Sequence, residues 1–163
     1  MPRSRPTEIE FVDVDDARLL AAAAALTDRG EGWINLEPIV DEEHQPMQAG
    51  PFAFLAGPSH DIPTVTWMPG RHQPGGETKP TTVGLQHAAG PRVARTLAAS
   101  GLPLPEQWRV TQDHPRRGLV ASVPAAVADP RSVLEWLLRA AASVCTVTTT
   151  GRWRAAVHDG RTG

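Results

Sequence analysis

Apolar residues recur at three- and four-residue spacing from Ser132 to Val144, with Val133, Leu134, Leu137, Leu138 and Ala141 on one side. That period predicts an amphipathic helix over residues 131–144. Asp129 as cap and Pro130 in the first turn are suited to start it. The same reading predicts a helix over 16–28. It is capped by Asp15 or Asp16, carries Leu19, Leu20, Ala23 and Leu26 inward, and stops at Gly30. A third and shorter helix is predicted over 91–100. Val93 and Leu97 form its stripe, Gly90–Pro91 starts it with proline at the first helical position, and Gly101 ends it. Leu19, Leu26, Val93, Leu97, Leu134, Leu137, Leu138 and Trp108 are the expected core.

Elsewhere the pattern is that of strands. Residues 8–14 alternate loosely, and Trp33–Val40 reads as a strand, with Pro38 putting it near an edge or ending it. Phe52–Leu55, Thr64–Met68, Thr81–Gln86 and Trp108–Gln112 are further candidates. After a DHPRRG turn, Leu119, Ala121 and Val123 alternate on a return strand. A last hairpin is predicted from Thr146–Thr150, a turn at Gly151, and Trp153–Val157. Pro69–Pro80 has the glycine and proline content of a long hairpin loop. Together these predict an α+β fold, a mostly antiparallel sheet with about three helices. A tryptophan strand, a histidine loop (His72 or His114), a Gly-Leu strand and a Pro-Arg helix start occur twice, which would suit a duplicated β-β-α unit.

The chain has 163 residues, 40% hydrophobic and 21% charged. These values fit one globular domain, expected over 8–158 with flexible tails at 1–7 and 159–163. No apolar run is long enough to cross a bilayer, and the N-terminus turns acidic where a secretory signal would be apolar. One cysteine, Cys145, cannot form an internal disulfide, so a cytoplasmic setting is expected. The net charge of −2 conceals a polarity: residues 1–63 hold four arginines against twelve acids, a net of −8, and the remainder nets +6. Lys79 is the only lysine. Arginine is the better bidentate partner for carboxylate and phosphate, although abundant alanine, glycine and proline also fit a compositional bias toward arginine.

No nucleotide-binding glycine pattern, P-loop, zinc motif or nucleophile elbow is present, so no cofactor is expected. The first candidate site is the strand-to-helix junction His87–Arg92. A helix N-terminus offers N–H groups to an anion, Gly90 allows close approach, Arg92 adds charge and His87 can move a proton. The second is Asp113, His114, Arg116 and Arg117 in the hairpin turn, where aspartate can orient histidine and arginines can hold an anion. Each also has a purely structural explanation as turn chemistry. Glu42, Glu43 and His44 with His60 and Asp61 carry metal-ligand types without a ligand spacing, so a solvated acidic surface is the simpler reading. Ser59–His60–Asp61 has the letters of a triad only, and Cys145 reads as a core thiol. Arg152–Trp153–Arg154 interleaves cations with an aromatic, yet an isoelectric point near 6.3 argues against nucleic acid.

These observations favour a binding or interaction module for a small anionic ligand or a protein partner, a second copy of the chain included. The alternative is an enzyme using His87 or His114 as general acid/base beside arginines that hold a carboxylate or phosphate. A nucleic-acid binder ranks third, and no membrane partner is expected.

Overall fold

The computed structural model describes residues 5–41, 61–72, 75–76 and 78–160. The Phe52–Leu55 strand, the Glu42–His44 cluster, His60 and much of both expected tails lie outside them. The described chain runs β1 (Thr7–Phe11), α1 (Ala17–Arg29), β2 (Trp33–Val40), β3 (Thr64–Met68), β4 (Arg71–His72), β5 (Thr78–Lys79), β6 (Thr81–Gln86), α2 (Val93–Ala99), β7 (Arg109–His114), β8 (Gly118–Val123), α3 (Pro130–Val144) and β9 (Thr149–His158). A short 3-10 turn, Ala125–Val127, precedes α3.

Seven of the strands make one sheet in the order β1-β9-β2-β3-β6-β8-β7, every pair antiparallel. The fold is α+β. Alternation decides which face is covered. Ile34 and Leu36 of β2, Val65 and Trp67 of β3, and Val83 and Leu85 of β6 are buried, while the residues between them are partly exposed or exposed. The buried set joins Leu19 and Leu26 of α1, Val93 and Leu97 of α2, and Leu134 and Leu137 of α3 in one core cluster. Hence the helices line one face of the sheet, and among the described residues no element covers the other. Burying each such leucine contributes about 1.5–3 kcal/mol.

Both long helices start as their sequences predict. The Asp16 carboxylate accepts from the N–H groups of Arg18 and Leu19, and Gly30 ends α1 in the left-handed region at φ 65°. Asp129 accepts from the N–H and hydroxyl of Ser132 at 3.0 and 2.8 Å. The two starts are clamped together: Arg131 donates to both oxygens of Asp15, at 2.6 and 3.0 Å.

Three expectations need correction. Pro91 is not the first residue of α2, because Arg92 at φ 59° forms the cap and the helix begins at Val93. Residues 149–158 form no hairpin. Gly151, at φ 79°, lies within a single strand β9, where the ladder to β2 shifts register between Pro38 and Val40. Glycine there relaxes a bulge in place of a turn. Pro38 lies in an interior strand, but the β3 ladder stops at Leu36, so its missing N–H falls beyond that ladder. The Pro69–Pro80 segment does form a hairpin, in which Arg71 and His72 pair with Lys79 and Thr78. The repeat is not established either: Pro130 opens α3 from within, whereas Pro91 precedes α2, and α2 has 7 residues against 15 in α3.

Candidate functional site

The two stretches singled out in the sequence meet in space. β6 runs beside β8, so the end of β6 adjoins the β7–β8 turn, and Gln86 Nε2 donates to the carbonyl of Arg117 at 3.3 Å. Across the same corner, Asp113 of β7 reaches the start of α2. Its Oδ1 and Oδ2 accept from the N–H groups of Val93 and Ala94 at 3.0 and 3.1 Å. The helix-start donors expected to meet an anion therefore meet a carboxylate of the chain itself. A cap from 20 residues away replaces the local one that Arg92 cannot supply.

The histidines serve the turns. His87 is 1% exposed, and its Nδ1 accepts from the Ala89 N–H at 3.1 Å. His114 Nδ1 accepts from the N–H groups of Arg116 and Arg117 at 3.1 and 3.2 Å, closing the hairpin as an Asx side chain would. Gln112 Nε2 donates to the carbonyls of Arg117 and Gly118. Gly90 (φ 81°) and Gly118 (φ 82°) occupy the left-handed region. At Gly118 a Cβ would also collide with the Leu85 carbonyl.

What remains outward is cationic. Arg92, Arg116 and Arg117 are exposed, and Arg95 of α2 and Arg109 at the start of β7 join them, two residues that local turn motifs did not reveal. Each ion pair among the described residues engages Arg18, Arg29, Arg131, Arg152 or Arg154. None engages the five arginines around α2 and β7. Arg152 and Arg154 answer Glu10 and Glu37 across β9, β1 and β2, so their cations are taken up within the sheet face.

β7 is a sheet edge whose exposed first half includes Val110, 43% exposed. The opposite edge differs: Arg18 Nη2 donates to the β1 carbonyl of Glu10 at 2.6 Å, covering part of that edge. Just before β7, Trp108 leans on Trp136 with ring centroids 5.0 Å apart and planes at 60°, and Trp136 Nε1 donates to the Pro103 carbonyl at 3.1 Å. Trp108 is only half-buried because its other side borders a mostly apolar cavity of about 310 Å³ with Pro105, Val127 and Val133. Among the described residues, fold and site together define a two-layer α+β protein with a cationic β7 edge. No known family, curated protein or solved structure matches the chain. No helix among the described residues is long and apolar enough to cross a membrane.

Proposed function

We propose that this protein is a binding module that takes an acidic, extended segment of a partner protein along β7. The observation that carries this reading is the edge itself: among the described residues β7 pairs on one side only and is bordered by Arg109, Arg116 and Arg117, none of which has an acidic partner there. An added strand would gain main-chain hydrogen bonds, and the arginines would select carboxylates. The Trp108 cavity, next to the start of β7, would receive an apolar side chain at one end. The enzymatic alternative has less support, since the hydrogen bonds of His87 and His114 described above go to the turns that hold them. A free cysteine in a chain with one is consistent with the cytoplasmic setting assumed here.

The test is titration with a synthetic peptide of alternating glutamate and valine, followed by calorimetry at low and high salt. Binding should weaken with salt and by about tenfold or more in Arg116→Ala/Arg117→Ala. It should be lost when a proline interrupts the peptide, because strand addition needs its N–H groups. Equal binding by the proline peptide would sink strand addition. A concentration-dependent mass increase without peptide would identify a second copy as the occupant.

A further inference from the structure

Where the β4–β5 base meets the C-terminal end of α1 lies a cavity of about 420 Å³, lined by Trp33, Met68, Arg71, Lys79, Thr82 and Glu31 among others. That volume lies within the range of small-molecule sites, roughly 300–1,000 Å³. We infer that it binds a small amphipathic anion, an oxyanion head on an apolar body, and that this site is separate from the β7 edge.

The charges carry the inference. Arg71 and Lys79 stand directly opposite each other in the two-stranded β4–β5 ribbon. Directly opposed residues of an antiparallel pair project from the same face, and like charges so placed repel. Neither side chain has an ion pair among the described residues. Arg71 Nε instead donates to the Gly30 carbonyl at 3.1 Å, which holds the guanidinium at the C-terminus of α1. The two strand arms that carry the pair cannot easily separate. The Gly70 N–H donates to Thr81 Oγ1 at 3.2 Å, and a Cβ at Gly70 would strike the Lys79 carbonyl, so the two arms of the neck are packed backbone to backbone. An oxyanion between the two cations turns this repulsion into two charge-assisted contacts.

The remaining walls suit an apolar body. Met68 is 43% exposed, one of three large hydrophobic side chains so open among the described residues. Trp33 is held flat against His158, with ring centroids 4.6 Å apart and planes at 10°. The half-buried Glu31 supplies an acceptor on the same rim, suited to a donor on the ligand and hostile to a second negative charge there.

The probes are phenyl phosphate and phenylacetate, which present the two head groups, with inorganic phosphate and benzyl alcohol as halves of the ligand. They are titrated into the full chain and followed by amide and indole NMR shifts. One or both aromatic anions should move the Trp33 indole and the Lys79 amide, and whichever binds more tightly identifies the head group. Each half alone should bind about tenfold more weakly or worse, and Lys79→Ala should weaken the aromatic anions by a similar factor. No shift with either anion at about 10 mM, where even a millimolar site saturates, overturns the inference. Shifts confined to the β7 arginines, or binding unchanged in Lys79→Ala, overturn it as well. Without ligand, Lys79→Ala should melt no lower than the parent, since it relieves repulsion; a clear decrease removes the premise. None of these outcomes depends on the acidic peptide.

Discussion

Asp113 shows how a residue chosen for its chemistry can be committed to architecture. Its two oxygens satisfy two backbone donors of α2, so Asp113→Ala leaves both without their acceptor. The expected cost is about 1–2 kcal/mol, read as a lower urea midpoint. Asp113→Asn, which keeps one acceptor oxygen, should lose less. Unchanged stability in both would show that the cap adds nothing. The caps of the long helices make a second prediction. Hydrogen bonds from Ser132 lower the carboxyl of Asp129 below the ordinary value of 3.8, and the side chain of Arg18 does the same for Asp16. A depressed carboxylate in the folded state adds stability above the unfolded value and loses it as pH falls through the folded one. The melting temperature should therefore fall below pH 3.8. The fall should be shallower in Asp129→Asn, and an equal slope would count against the cap.

Helices were the most legible elements because their signals are local. Caps, stripes and stops all lie within the segment they govern, and the observed bounds 17–29, 93–99 and 130–144 differ from expectation by at most two residues. Leu137, 1% exposed, is the strongest test: Leu137→Ala should cost about 2–5 kcal/mol, and an unmoved melting temperature would remove it from the core. Strands were legible as strands but not in their pairing. A glycine in a β-branched run fits a turn or a bulge equally well by its backbone freedom, and only the partner β2 decides that Gly151 is a bulge. The hairpin at Asp113–Gly118 was visible, whereas the reach of Asp113 to α2 was not, because capping from another element leaves no spacing to read. The cavity at Trp33 escaped for the same reason: its walls come from four places in the chain.

For the molecule as a whole, charge is sorted by edge. The β1 side neutralises its arginines with Glu10, Asp16 and Glu37, while the β7 side leaves its own open. If those arginines serve recognition, Arg116→Ala/Arg117→Ala should change stability by no more than about 0.5 kcal/mol. A larger loss in thermal unfolding would make them part of the scaffold.

The position of β9 has a consequence for how the molecule comes to exist. The last strand of the sheet lies between β1 and β2, and the Arg152–Glu10 contact joins residues 142 positions apart. On the ribosome, β1 has only α1 beside it until β9 has emerged, because β9 is its sole ladder partner among the described residues. The β3-β6-β8-β7 half pairs strands much closer in sequence and can assemble while synthesis continues. Folding should be polarised, with that half forming early and β1-β9-β2 closing last as the slow step. Nascent chains stalled before Thr149 should then show protected amides in β6 and β8 and exchanging ones in β1, the last strand acting as the latch that ends folding.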